Sequence, residues 1–200
     1  MERQPFSIGE YYHVYNRGND RRNVFLDETD YQKFLGALRR IRKYGSTWRM
    51  TGSSRNLRIV AFCLNPNHFH FVVQQTAKVD ISRFFQQLCT SYTMYFNKRH
   101  RRSGTLFQGP FRSSHVDSDP YLTWVTNYVN GNAELHGITK DARLYPWSSY
   151  PEYLSPSRAS IFNDDLVLRQ FEGGMDYDVF AQRQIKVMKS NRIASFPFQD

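Results

Sequence analysis

The feature that most constrains this chain is a pair of apolar runs around a three-residue break. Leu57 to Leu64 and His68 to Gln75 are dense in β-branched and aromatic residues, and Asn65-Pro66-Asn67 stands between them. Proline presets φ and asparagine supports turn geometry, so the stretch predicts an antiparallel hairpin. Whatever fold the chain adopts must place that hairpin in a sheet.

The flanking segments say which sheet. Tyr11 to Arg17 has strand composition. Asp27 to Tyr44 predicts a helix, with Tyr31, Phe34, Leu35, Leu38 and Ile41 on one face and Gly45 as the stop. Residues 45–56 are polar and read as a loop. Asp80 to Asn97 carries the clearest helical period: Ile81, Phe84, Phe85, Leu88, Tyr92, Tyr95 and Phe96. Phe111 to Val116 reads as a short strand. Asp119-Pro120 then opens a helix, aspartate as N-cap and proline at the first helical position, running to about Asn132. The order is β-α-β-β-α-β followed by a helix. That predicts an α+β, ferredoxin-like antiparallel sheet with helices on one face plus one additional helix.

Composition narrows the class. The chain has 200 residues, 40% hydrophobic and 16% aromatic, which excludes disorder over most of its length. No run approaches the roughly 18 apolar residues of a membrane span. Cys63 and Cys89 are the only cysteines, too few for a disulfide scaffold. The N-terminus lacks an apolar signal core, so a cytoplasmic protein is expected. The net charge is +9, and the excess is uneven: residues 1–150 hold 21 basic and 11 acidic side chains, and residues 151–200 hold 6 and 7. With Pro151, Ser155, Pro156 and Ser157 as a linker, this predicts a boundary near 150, with a main domain over 1–150 and a C-terminal extension over 151–200. That tail mixes Phe162, Leu166, Val167, Leu168 and Phe171 with a second helical stretch, Asp178 to Lys189. Either packing on the core or covering the functional site fits it. An acidic partner, nucleic acid first, fits the charge.

Chemistry enters with His68-Phe69-His70. On a strand, residues i and i+2 share a face, so the two imidazoles project together and Phe69 and Phe71 point the other way. Paired imidazoles suit a divalent metal, and the competing reading is two histidines on the wet face of a hairpin. A third ligand is required. The last helix offers one, because Tyr128 and Asn132 are i, i+4 neighbours beside Tyr121 and Val125. The competing reading of Tyr128 is a core tyrosine with its hydroxyl at the rim. His13, His100, His115 and His136 read as surface or core histidines, and both cysteines as buried small hydrophobes.

Six motifs now stand in order: Arg17-Gly18-Asn19-Asp20-Arg21-Arg22-Asn23-Val24-Phe25; Asn65-Pro66-Asn67-His68-Phe69-His70-Phe71-Val72-Val73; Gly104-Thr105-Leu106-Phe107-Gln108-Gly109; Asp117-Ser118-Asp119 with Tyr121-Leu122; Tyr128-Val129-Asn130-Gly131-Asn132; and Trp147-Ser148-Ser149-Tyr150. Together they resemble the HUH-type single-tyrosine transposases, specifically the REP-associated tyrosine transposases of bacteria, an IS200-like group. The similarity spans about residues 8–153.

That resemblance implies that His68 and His70 bind Mg²⁺ or Mn²⁺ with Asn132 as the third ligand, and that Tyr128 is the nucleophile. It implies a site-specific single-stranded DNA endonuclease and strand transferase acting in transposition on REP-like hairpins, through a 5′-phosphotyrosine. It also implies a bacterial cytoplasmic protein acting on nucleoid-associated DNA, and its REP-like character favours a monomer over a dimer. Arg17, Arg21, Arg22, Arg99, Arg101, Arg102 and Arg112 are the expected phosphate contacts. Three departures bear on substrate recognition. Asn132-Ala133-Glu134-Leu135 replaces an Asn-Pro-Val-Arg-like run, Pro110 stands where a basic residue is common, and Asn65 replaces a usual apolar residue before Pro-Asn-His. A domesticated, non-cleaving hairpin-binding protein is the rival reading. A ferredoxin-like RNA-binding domain ranks last, since the Lys/Arg-Gly-Phe-Gly-Phe-type strand motif is missing.

Overall fold

A computed structural model of the chain describes residues 5–44, 57–76, 81–155 and 167–191. The main elements run β1 (Tyr11–Arg17), α1 (Glu28–Tyr44), β2 (Leu57–Asn65), β3 (His68–Gln75), α2 (Ile81–Arg99), β4 (Arg112–Val116) and α3 (Asp119–Leu135), then α4 (Tyr150–Leu154) and α5 (Gly174–Ser190). The four strands order β2-β3-β1-β4, and every neighbouring pair is antiparallel. This is the ferredoxin-like order that the sequence predicts. The expected loop over 45–56, the linker residues Pro156 and Ser157, and Phe162 and Leu166 fall outside the described residues.

Strand alternation splits the chain into two layers. On one face α1 and α2 bury Phe34, Leu38, Phe84, Phe85 and Tyr92 against Val14, Phe69 and Phe71. On the other, α3 lays Val125, Tyr128 and Val129 over Val60, Ala61, Cys63 and Val72. A bulge in β2 between Ile59 and Ala61 changes the strand's parity. Leu57 and Ile59 therefore face α1 and α2, whereas Ala61 and Cys63 face α3. One extra residue on a bulged strand has this effect because side chains alternate with period two.

Helix ends differ from the sequence reading in instructive ways. Ser118 is the N-cap of α3, without a side-chain cap hydrogen bond, so Asp119 and Pro120 are already helical. The helix continues past Asn132 to Leu135 and stops before Gly137, which sits at φ +67. Glu134, buried near the helix end, accepts from the Ala142 amide at 2.9 Å and from Lys189 Nζ at 2.6 Å, which ties the next loop and α5 to α3. The tail helix starts four residues earlier than Asp178, at Gly174. It packs on α3 so tightly that a Cβ on Gly131 would lie 2.7 Å from Ile185 Cγ1. Asn130 Nδ2 also donates to the Tyr177 hydroxyl at 2.7 Å. Of the two placements open for the tail, α5 takes packing on the core. No helix among the described residues is long and apolar enough to cross a membrane.

Candidate functional site

The site lies on the α3 face, where β1 and β3 run side by side. Tyr15 pairs with His70 and Arg17 with His68 across the ladder, so their side chains share that face. His68 and His70 are 6% and 2% exposed. The wet-face reading is therefore excluded: α3 covers both rings. The His68 and His70 ring centroids are 5.0 Å apart. Tyr128 comes down from α3 with its ring 5.8 Å from His70, and it stacks on Trp124 at 5.7 Å with an interplanar angle of 4°. Asn132, one turn later, brings Oδ1 to 3.3 Å from His68 Nε2. The structure thus brings together the four predicted chemical residues.

Hydrogen bonds on the far side of each imidazole determine which nitrogen faces the centre. His68 Nδ1 lies 2.6 Å from Asn67 Oδ1, an acceptor, so Nδ1 carries the proton and Nε2 presents its lone pair. His70 Nδ1 lies 2.9 Å from His13 Nε2, which leaves His70 Nε2 for the site. Burial pushes the His68 pKa down to about 3, assisted by His136 and Arg17. Burial and the neighbouring His68 hold His70 well below the ordinary value. Both rings are neutral at pH 7, the form a metal requires. Two neutral imidazoles with ring centroids 5.0 Å apart, and an amide oxygen 3.3 Å from one of them, make a buried donor set that fits a divalent cation. Among the described residues, no group of three or more His, Cys, Asp and Glu side chains is arranged to hold a metal ion, so the donor set depends on the amide.

Sequence reasoning missed three participants. His13 is fully buried with its pKa lowered to about 3 by desolvation, and it holds His70. Its position two residues before Tyr15 and four before Arg17, on one strand parity, was the available signal. Asn67, which the sequence marks only as a turn residue, also orients His68 through its Oδ1. Asn65 reads as a turn residue and a departure from the family pattern, yet its Nδ2 donates to His68 Nε2 at 2.8 Å and also to Asn132 Oδ1. No sequence signal marks it, because the β2 bulge breaks the alternation that would place it.

The basic residues divide into two groups. Arg17 lies close enough to lower the pKa values of His68, His70 and His136, and Arg112 is exposed beside Tyr15 on the edge strand. Arg21 is exposed at φ +58, next to the turn, where its carbonyl accepts from Asn67 Nδ2. Arg22 is turned back onto Asp20 and the Asn19 carbonyl. Arg99 is held by Asp27 and the buried Asp30 at 2.6–2.8 Å. Arg102 is bound to Asn97 Oδ1 at 2.5 Å and the Thr105 carbonyl at 2.9 Å, whereas Arg101 is exposed. Two of the three arginines at the end of α2 are thus engaged within the protein, Arg99 with Asp27 and Asp30 and Arg102 with Asn97 and the following loop. His100 also pairs with Asp30, and His115 pairs with Glu10.

The profile of the family described as IS200-like transposase matches residues 8–132. That is more than half the chain and contains all four central side chains. The chain belongs to the IS200-like transposase family. Comparison with curated proteins gives no match. Among solved structures, a REP-associated tyrosine transposase bound to a REP hairpin superposes with a TM-score of 0.63 at 17% identity, covering 84% of this chain and 92% of that one. A Deinococcus radiodurans structure assigned as a transposase gives a TM-score of 0.41 at 17% identity, covering 66% and 97%. The fold likeness rests on the first of these.

Proposed function

We propose that the protein is a REP-associated transposase: a metal-dependent single-stranded DNA transesterase that cleaves and rejoins DNA beside REP-like hairpins. The observation that carries this reading is the buried cluster of Tyr128, His68, His70 and Asn132 within a family of transposases. The hairpin substrate is taken from the fold relative, which is bound to one. Mg²⁺ or Mn²⁺ held by His68, His70 and Asn132 would draw charge from the scissile phosphate. Tyr128 supplies the nucleophile. Its phenolic oxygen attacks phosphorus, the bond to the 3′-oxygen breaks, and that oxygen departs as a hydroxyl after taking a proton. The 5′-phosphotyrosine retains the bond energy, so attack by another 3′-hydroxyl restores a phosphodiester and joins strands. Arg17 and Arg112 stand nearest the reacting phosphate, with Arg21 and Arg101 as outer contacts. Arg22, Arg99 and Arg102 take structural roles instead. The centre is complete within one chain, which supports action as a monomer.

A second reading, a binding protein that no longer cleaves, is favoured by one fact: Tyr128 is fully buried under Trp124. Incubation with end-labelled hairpin DNA and Mn²⁺, followed by a denaturing gel, separates the two. A covalent adduct from the wild type, absent from Tyr128→Phe and His68→Ala, supports the transesterase. An adduct that survives Tyr128→Phe overturns the assignment of the nucleophile, and hairpin-specific binding without any adduct establishes the second reading.

A further inference from the structure

Asn65 lies where the two closest donors of the proposed metal centre meet. It faces His68 across the two-residue turn, and it is fully buried. Its Nδ2 donates to His68 Nε2 at 2.8 Å and to Asn132 Oδ1. Those two acceptors are themselves 3.3 Å apart. The amide nitrogen therefore satisfies, with its hydrogens, the same lone pairs that a cation would take. Both cannot occupy that point. A cation entering there must turn the Asn65 amide away or turn it over.

Turning it over costs little. The Asn65 Oδ1 is held by the Cys63 thiol at 3.4 Å, a weak donor. Rotation by half a turn exchanges oxygen for nitrogen at nearly constant shape, the property that makes the two hard to tell apart. It sends Nδ2 toward Cys63 Sγ, a weak acceptor, and points Oδ1 at His68 Nε2 and Asn132 Oδ1. Three acceptors aimed at one point repel each other unless a cation sits among them. Displacing the amide entirely would leave both of its polar atoms buried and unpaired, which costs more than turning it over.

We propose that Asn65 is a fourth protein ligand of the metal centre, flipping its amide from hydrogen-bond donor in the metal-free protein to Oδ1 donor when the cation binds. This rests on His68, His70 and Asn132 being the metal ligands. The resulting donor set, two imidazoles and two amide oxygens, carries no formal charge. The bound cation then keeps its full positive charge for the DNA phosphate, and DNA and metal bind cooperatively.

The test measures Mn²⁺ binding without DNA, by titration calorimetry and by the electron paramagnetic resonance signal of free Mn²⁺, together with the Cys63 S–H stretching band in a Cys89→Ala background. Wild type must bind one Mn²⁺, and His68→Ala must lose it. If that fails, the metal centre itself is wrong and Asn65 falls with it. Given that result, Asn65→Leu, close to asparagine in volume, weakens binding at least tenfold, and Asn65→Asp tightens it. Mn²⁺ addition also moves the Cys63 S–H band to higher frequency, as the thiol loses its carbonyl acceptor. Equal or tighter binding by Asn65→Leu overturns the proposal while leaving the centre intact. So does an unmoved S–H band. Should Asn65→Leu not fold, the band and Asn65→Asp decide: unchanged or weaker binding by the aspartate counts against it.

Discussion

The two faces of the sheet are built from alternate residues of the same strands and serve opposite purposes. Phe69 and Phe71 enter a core of packed aromatic rings, with Phe34 and Phe85 within 5.4–6.4 Å of them. His68 and His70, their immediate neighbours, enter a layer in which polar groups are buried: His13, Asn65, Asn130 and Asn132 are all under 3% exposed. The first face removes apolar area from water at roughly 25 cal/mol per Å². The second also buries apolar side chains under α3, but at the histidine pair it desolvates imidazoles and amides and offsets that cost through partners such as Asn67, His13 and Ser149. Asn132 Nδ2, buried, makes no hydrogen bond among the described residues. Both faces bury an apolar core, but around the histidine pair the second face holds the groups of the proposed chemistry at some cost in stability.

Substitution on each face should expose that division most strongly. Phe69→Ala is expected to lower unfolding free energy by about 3–5 kcal/mol, the range for emptying an aromatic core site. The double change His13→Leu with His70→Leu removes both partners of a buried hydrogen bond and should leave stability within about 1 kcal/mol or raise it. Adduct formation should disappear in the double variant. Urea unfolding in EDTA measures both. A loss of stability in the leucine pair as large as that of Phe69→Ala would mean that the histidine layer supports the fold as much as the phenylalanine layer does.

Acid sharpens the same contrast with a smaller effect. An unfolded histidine takes up a proton below about pH 6.5. Folded His13 and His68 remain neutral until about pH 3, because burial disfavours their charged forms. Between those values the unfolded state binds more protons, so stability falls as pH falls, by roughly 1.4 kcal/mol per pH unit for each such group. From pH 6.5 to 5, before most carboxylates titrate, the urea midpoint should drop steeply in the wild type. It should drop less in His13→Leu with His70→Leu. Parallel curves would show that the imidazoles titrate freely and are not desolvated as the geometry requires.

Legibility in the sequence follows the same line. The α1 and α2 face was readable because helical period and strand alternation encode it locally. Tyr11–Arg17 and His68–Gln75 emerge with the predicted bounds, and β2 extends the predicted strand by one residue, to Asn65. His68, His70, Tyr128 and Asn132 were readable as spacings plus a family resemblance. Asn65, His13 and Asn67 were not, because their roles depend on a bulge in β2, a cross-strand register and a turn folding back, and none of these leaves a local period. The internal partners of Arg99 and Arg102 are hidden from the sequence for a similar reason. A run of cations at a helix end looks the same whether it meets solvent or, as with Arg99, two aspartates 72 and 69 positions away.

That last distinction gives the smallest effect and the most direct comparison between arginines. Arg112, exposed on the edge strand beside Tyr15, should contact phosphate. Arg112→Ala is then expected to weaken hairpin binding several-fold and to lower the slope of log K against log salt by about one. Arg99→Ala should leave that slope unchanged and lower the melting temperature instead, since it strips the buried Asp30 of its guanidinium partner and leaves that carboxylate to His100 and Tyr95. Fluorescence anisotropy across a salt series and thermal unfolding of the same samples decide the matter. If Arg99→Ala flattens the salt slope and Arg112→Ala does not, DNA runs over the α2 end of the molecule. The cationic path would then leave the β4 edge, and Arg17 alone would remain to hold the phosphate at the tyrosine.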